Sequence, residues 1–362
     1  MKVLQIINKP LIGGAEKVVR DLCVSLNAAG IQTDVLFLSK STSVSFFDTS
    51  SGYRIIYPKY NFGIYNPLLL FYLIKHIKKY DIVNVHLFPS LYFLGIIKIF
   101  FLREKKIVFT EHSTNNRRMN NFMFKILDQF IYKFYNRIIT ISNDVDISIK
   151  NHLNFNSDKF LLIKNGIDLI SINNARRYPK SSLSEFILES DFLVTQVSSF
   201  QYPKDQFTLV DSMARLPFGI KCIFVGDGID RLSCEKYVIE KKLEKRIFFL
   251  GKRIDVYEIM KTSDVLVLSS KYEGMPISCL ESMASNKPFI GSNVPGIREI
   301  VRDYGLLFEF SDSKKLSEHI LKLYNDINYY NNISHKCFTR SKYFDISNTI
   351  NSYINLYKSL NE

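Results

Sequence analysis

DVLVLSSKYEGMPISCLESM, residues 264–283, holds a strand, a turn and a helix start in one short piece of chain. Val265 to Leu268 is an apolar run bounded by Asp264 and Ser269, the pattern of a strand buried on both faces of a parallel sheet. Glu273-Gly274-Met275-Pro276 then turns the chain, and a helical pattern begins near Ile277. Pro276 suits the first helical position, where its missing N–H costs nothing. Free N–H groups at that helix start, with Gly274 leaving room for close approach, make an anion site at the carboxyl edge of a sheet. Glu273 precedes the helix and Glu281 lies about one turn inside it. Carboxylates so placed can take hydroxyls at the two ends of a ligand with phosphate between them, the anatomy of a sugar nucleotide. The E-x7-E spacing by itself is loose and equally describes two solvated glutamates, so the surrounding chain has to separate the two.

Upstream, strand patterns at 192–198, 220–225 and 246–250 alternate with helical ones at 206–216, 230–242 and 255–262. Downstream, strands at 288–291 and 305–309 lead into helices. The first half alternates likewise, with strands at 2–8, 32–38, 53–57, 81–86, 106–110, 137–142 and 159–163. Helical patterns run to about Ala29 and over 67–79, 91–102, 119–136 and 143–152. Strands separated by helices predict parallel sheets covered on both faces. The expected fold class is α/β, with two doubly wound Rossmann-like domains facing across a cleft. Residues 1–170 form the first domain, polar residues 171–190 a linker, and residues 191–342 the second domain. A last helix in 343–362 can pack back on the first.

Composition narrows the class. At 362 residues, 46% hydrophobic and 23% charged, the chain is long enough to fold around two cores. Cys23, Cys222, Cys234, Cys279 and Cys337 are scattered and contain no C-x-x-C pair, so neither a disulfide framework nor a zinc site is expected and a reducing cytoplasm fits. MKVLQIINKP lacks the apolar core of a signal peptide. The most apolar window, 87–102, is cut by Pro89 and Lys98 and falls short of the about 20 residues a bilayer span needs.

The net charge of +13 is concentrated in residues 1–170, which hold 22 Lys+Arg against 12 Asp+Glu. There it mixes with aromatic and aliphatic residues at 91–106 and 117–137. Such stretches can lie on an anionic membrane surface, or form amphipathic core helices with solvated lysines. No nucleic-acid motif accompanies the charge, and no nucleic-acid partner is expected. Near the start, Gly13-Gly14-Ala15-Glu16 opens a helix at a strand end, where backbone N–H groups meet a ligand; it is not G-x-G-x-x-G and implies no dinucleotide. His86, closing the strand DIVNVH, either lines the cleft or packs inside.

Eight motifs stand in one order: GGAE at 13–16, TEH at 110–112, KNGID at 164–168, VSSFQYPKD at 197–205, FVGDG at 224–228, FLGKR at 249–253, EGMPISCLE at 273–281 and NVPGIREIV at 293–301. Together they resemble family 4 retaining glycosyltransferases (glycosyl transferases group 1) of the GT-B fold, of the surface-polysaccharide type. The resemblance implies an acceptor-side first domain and a donor-binding second domain. It places Gly13 and Gly14 near the transferring phosphate and sugar, and His112 beside the sugar as a catalytic residue. Lys204 would bind the diphosphate, and Glu273 the sugar hydroxyls together with the backbone of Gly274 and Met275 and the helix start Pro276-Ile277. Glu281 would take the ribose hydroxyls, and Gly251-Lys252-Arg253 would border the base. Where many relatives carry a second diphosphate-binding arginine this chain has Ser199, which shifts that task to Lys204, the helix tip and a basic neighbour such as Lys252 or Arg253.

The implied reaction is transfer from a nucleotide-diphosphate sugar, by preference a UDP-sugar, to a glycan or lipid-linked glycan in bacterial surface polysaccharide biosynthesis, in the cytoplasm or at the inner face of the membrane. Breaking a sugar–diphosphate bond requires charge stabilisation on the departing phosphate, which a lysine and a helix N-terminus supply electrostatically; no metal and no cofactor is expected. Double displacement would need a carboxylate about 3–3.5 Å from the anomeric carbon. Glu273 is the candidate, but hydroxyl binding is its preferred role and same-face attack the preferred course. Two other readings stay open: a catalytically silent sugar-nucleotide-binding partner of an active transferase, to which Ser199 points, and a sugar-nucleotide epimerase on the same fold.

Overall fold

In the computed structural model, which describes residues 1–40, 47, 52–60, 63–115, 118, 119 and 121–362, thirteen strands form two parallel sheets. Arg117, counted in the basic stretch 117–137, lies outside the described residues. The first sheet holds β1 (Lys2–Ile7), β2 (Gln32–Phe37), β3 (Ile55–Ile56), β4 (Ile82–His86), β5 (Lys106–Glu111), β6 (Arg137–Thr140) and β7 (Phe160–Leu162) in the order β3-β2-β1-β4-β5-β6-β7. The second holds β8 (Phe192–Val197), β9 (Ile220–Val225), β10 (Ile247–Phe249), β11 (Val265–Leu268), β12 (Phe289–Ser292) and β13 (Leu306–Phe308) in the order β10-β9-β8-β11-β12-β13. Both are α/β and doubly wound, as the alternation predicts. The strand order reverses between β1 and β4, and again between β8 and β11. At such reversals the connections leave in opposite directions and open a crevice at the carboxyl ends of the strands.

Residues 1–165 with 347–362 make one unit, and residues 166–346 the other. Apolar runs explain the strands: every residue of β11 is buried, as are Val3, Leu4, Ile6 and Ile7 of β1 and Val83 and Val85 of β4. The helix Ile346–Asn361 belongs to the first unit and buries Tyr353 and Tyr357 there.

Two expectations need correction. Residues 171–190 do not hang as a linker but are packed into the second unit. Leu183 and Ile187 share a core with Leu193, Ile223 and Ile259; the Tyr178 N–H donates to the Thr262 hydroxyl at 2.8 Å, and the buried Lys180 ammonium bonds the Asp264 carboxylate at 2.6 Å. Their polarity misleads because the charge that neutralises Lys180 lies 84 residues away. The single helix expected over 119–136 is instead a helix Phe122–Ile131, capped by the Asn121 side chain, followed by a 3-10 turn Tyr132–Phe134.

The two basic aromatic stretches also separate. Helix Ser90–Phe100 is a core helix, burying Leu91, Leu94 and Ile97. Its Lys98 donates to the Lys105 carbonyl, and Lys105 to the Tyr80 carbonyl at 2.6 Å, so these lysines tie the unit together. Helix Phe122–Ile131 differs: Phe122, Met123, Ile126, Leu127 and Phe130 are all exposed. Among the described residues no helix is long and apolar enough to cross a membrane.

Candidate functional site

Two groups of candidate residues form, one at each strand-order reversal. In the second unit the loops after β8 and β11 are zipped together: the Asp205 N–H donates to the Ser269 carbonyl at 2.8 Å and the Lys271 N–H to the Pro203 carbonyl at 3.0 Å. A single β-bridge joins Lys204 to Ser270. That pairing brings the Lys204 ammonium onto the Glu273 carboxylate as an ion pair, and the Ser270 hydroxyl donates to the same Glu273 oxygen at 2.7 Å. Both charges are mostly out of water, with 18% and 11% of their side-chain surfaces exposed, so their mutual attraction is weakly screened.

The helix Ile277–Ala284 starts directly behind this pair and no side chain caps it. Pro276 is its cap residue, with extended φ −70° and ψ 117°, and not the first helical residue; its own φ fits either position. The side chains of Met275, Pro276 and Ile277 are buried, so this stretch offers a ligand its backbone only.

Gly296 holds the loop in place. It sits at φ +80°, and a Cβ there would come within 2.6 Å of the Glu273 carbonyl oxygen and 2.7 Å of that of Gly274. The NVPG motif therefore serves as the bed on which Glu273-Gly274 lies, a role that only the close approach of two backbones reveals. Gly226, at φ +137°, does the same beside Ser199: its Cβ would fall 2.0 Å from the Ser198 carbonyl oxygen. Ser199 itself is half-buried, and its carbonyl accepts from the Gln206 amide at 2.9 Å.

Glu281 is buried and accepts from the Tyr257 hydroxyl at 3.0 Å. Tyr257 was not among the expected residues; it lies four residues beyond Arg253 and links the Gly251-Lys252-Arg253 loop to Glu281. Arg253 is engaged elsewhere, in a two-point contact with Asp255 at 2.7 and 2.5 Å, while Lys252 is exposed. The structure thus assembles Lys204, Glu273, Gly274 and the helix start, adds Ser270, Tyr257 and Gly296, and turns Arg253 toward Asp255.

In the first unit, the Asn8 amide donates to the Phe88 carbonyl at 2.6 Å and the Ser90 hydroxyl donates to Asn8 at 2.7 Å, tying the loops after β1 and β4. Gly13 precedes the helix Gly14–Ala28 in extended conformation, and Gly14 faces open space. Glu16 folds back over Gly13, its carboxylate 2.4 Å from where a Gly13 Cβ would stand. Burial pushes that carboxyl up to about 7.

His112 follows β5 and is half-buried; His86, at the end of β4, is fully buried. The His86 Nδ1 lies 2.9 Å from the His112 Nε2, and the His86 Nε2 lies 2.9 Å from the Gln5 Oε1. Burial lowers the His112 pKa to about 4 and that of His86 well below its ordinary value, with the neighbouring His112 adding to the latter. Both rings are neutral at pH 7. Leu87, next in the chain, is held at φ +65°, a strained conformation for a leucine.

One D-x-D triplet exists, Asp144-Val145-Asp146, and the structure puts it in the first turn of helix Asn143–Leu153. Asp146 accepts from the Thr140 hydroxyl at 3.1 Å and pairs with Lys150 at 2.7 Å. Among the described residues no group of three or more His, Cys, Asp or Glu is placed to hold a metal ion.

Residues 12–170 match the Glycosyltransferase Family 4 model, and residues 180–338 match that of Glycosyl transferases group 1. The UDP-Gal:alpha-D-GlcNAc-diphosphoundecaprenol alpha-1,3-galactosyltransferase of Escherichia coli is 30% identical over 277 residues, 72% of this chain and 70% of that one. A Campylobacter jejuni 4-alpha-N-acetylgalactosaminyltransferase, named for a diphospho-undecaprenol-linked substrate, is 22% identical over 70% of each chain. Among solved structures, Anabaena HepE in complex with UDP-glucose superposes with a TM-score of 0.86 over 99% of this chain and 100% of its own, at 21% identity.

Proposed function

The chain belongs to the family 4 glycosyltransferases of the GT-B fold, and from that premise we propose that it moves a sugar, with retention, from a UDP-sugar to a lipid-linked glycan. One observation carries the donor half of this reading: Lys204, Glu273 and Ser270 converge at the strand-order reversal of the second unit, in front of a helix start that no side chain caps. The lysine and the helix N–H groups offer positive charge to a diphosphate, and they oppose the charge that grows on the leaving phosphate oxygen. Binding divides the Lys204–Glu273 pair, the ammonium going to phosphate and the carboxylate to sugar hydroxyls. Glu281, oriented by Tyr257, takes the ribose. The bond from the anomeric carbon to the phosphate oxygen breaks as the acceptor oxygen bonds on the same face, and the departing phosphate receives the acceptor's proton. The charge supplied by Lys204 and the helix serves in place of a metal.

The activities for which the relatives are named support a uridine donor and a polyprenyl-diphosphate acceptor. An acceptor of that kind resides in a membrane, and the exposed face of helix Phe122–Ile131 supplies apolar side chains for its surface. The first unit, with its basic excess, is the part we place against anionic lipid.

The deciding experiment incubates the protein, with EDTA, with a panel of radiolabelled UDP-sugars and vesicles carrying undecaprenyl-diphosphate-linked N-acetylhexosamine, and reads the anomeric configuration of the product by NMR. A lipid-linked disaccharide with the donor's configuration is expected. Inverted product, strict dependence on a divalent metal, or binding of UDP without turnover on any acceptor would overturn the reading, the last in favour of a silent partner. Phe122→Ser with Phe130→Ser should weaken sedimentation with anionic vesicles; unchanged sedimentation would remove that face from the membrane role.

A further inference from the structure

β1, β4 and β5 carry a strip of polar residues through the middle of the first sheet. Gln5, Asn84, His86 and Thr110 are all fully buried. Gln5 sits beside Asn84 in the β1–β4 register, and His86 beside Thr110 in the β4–β5 register. Asn84 and His86, two apart on one strand, share a face. The helix Ile346–Asn361 lies over that face with two tyrosines one turn apart. The Gln5 Nε2 donates to the Tyr357 hydroxyl at 3.3 Å, and the Tyr353 hydroxyl stands 3.4 Å from the Thr110 hydroxyl. Burying this many polar groups is costly unless each finds a partner, and apolar residues would pack the same sheet at no such cost.

The direction of the bonds gives the strip a use. With its Nε2 committed to Tyr357, Gln5 turns Oε1 toward His86, and only a protonated His86 Nε2 can donate to it. A neutral His86 then has an unprotonated Nδ1, which must accept from the His112 Nε2. His112 is left with a bare Nδ1 that makes no hydrogen bond among the described residues. We propose that His86 is a positioning residue: the chain Tyr357–Gln5–His86 fixes His112 in the Nε2–H tautomer and keeps its Nδ1 as an acceptor for a substrate hydroxyl. The assignment rests on the transferase reading only for what the Nδ1 meets, since the tautomer is a property of the free protein.

The test labels histidine with 15N and reads the imidazole tautomers by two-bond 1H–15N correlation in the ligand-free protein, alongside turnover. In the unsubstituted protein His112 should show a protonated Nε2 and an unprotonated Nδ1. In His86→Leu this preference should be lost and kcat should fall about tenfold, the worth of one hydrogen bond, with UDP affinity unchanged. His86→Asn, whose amide oxygen can stand where Nδ1 stood, should restore the Nε2–H tautomer. Tyr357→Phe, a milder change at the far end, should populate both tautomers, and it serves if His86→Leu does not fold. A His112 protonated on Nδ1 in the unsubstituted protein, or an unaltered tautomer in both His86→Leu and Tyr357→Phe, would overturn the proposal. The spectra decide this whether or not transfer is observed, so failure of the transferase reading would be seen separately.

Discussion

The strand-order reversals of the two units have the same topology and opposite chemistry. Between β8 and β11 the crevice holds full charges, Lys204 against Glu273, with the helix dipole behind them. Around β1 and β4 it holds groups whose charged forms burial disfavours: His86 and His112, both neutral at pH 7, and the carboxyl of Glu16, pushed up to about 7. A fold therefore supplies the place but not the electrostatics. Ion pairs suit a ligand that brings its own charge, because its phosphates replace one partner with another. Neutral hydrogen-bonding groups suit uncharged hydroxyls, which would leave a buried ion unsatisfied.

The contrast can be broken most severely at Lys204. Lys204→Ala should lower kcat by about 10²–10³, the usual loss for one preorganised electrostatic group, and also weaken UDP binding, because the diphosphate loses its ammonium partner. Single-turnover measurement of bond cleavage checks this, and an unchanged rate would take the lysine out of the chemistry. Gly296→Ala should act without touching charge. A left-handed residue that overlaps two carbonyl oxygens costs about 1–3 kcal/mol and displaces Glu273, so both thermal stability and donor KM should worsen. Signals of His86 and His112 should not move; if they do, the loop does more than hold its own unit's site. Glu281→Gln should weaken UDP binding by about tenfold, for loss of a charge-assisted hydrogen bond, as read by calorimetry.

The smallest effect is one of pH, and the buried titratable groups of the first unit pull in opposite directions. Glu16 has its folded pKa raised from 4.5 to about 7, so its contribution is full below 4.5 and is lost as pH rises through about 7. His112 has its folded pKa lowered from 6.5 to about 4, so its contribution is full above 6.5 and is lost as pH falls toward 4. Glu16→Gln should therefore raise stability at pH 8 relative to pH 5, as measured by urea unfolding. An identical pH dependence in both proteins would mean that the carboxyl is solvated and not folded over Gly13.

Much of the fold was legible because its signals are local. The apolar run of β11 needed only the next few residues to be recognised, and the helices between strands followed from periodicity. Glu273 stands out by its fixed place between strand and helix, whereas Lys204 is singled out only by the motif order that resembles the family; the structure brings the two together. Arg253 shows the limit of that reasoning: its Asp255 partner is two residues along and visible in the sequence, yet only the folded loop directs both of its contacts there. The polar strip was out of reach for a different reason. Gln5 meets His86 across 81 residues and Tyr357 across 352, and no pattern within a window connects them. Lys180 and Asp264 fail alike, which is why a buried lysine passed for part of a linker.

The first unit is discontinuous in the chain, and that has a consequence for its birth. During synthesis residues 1–165 leave the ribosome well before residues 347–362 exist, so the sheet must wait with Gln5, Asn84 and His86 uncovered while the whole second unit is made. Domains that form as they emerge would here produce a finished second unit while the first is still incomplete. The nascent protein gains the histidine arrangement only when the tyrosines of its closing helix arrive, so a chain cut short by even that one helix is expected to bind nucleotide and transfer nothing.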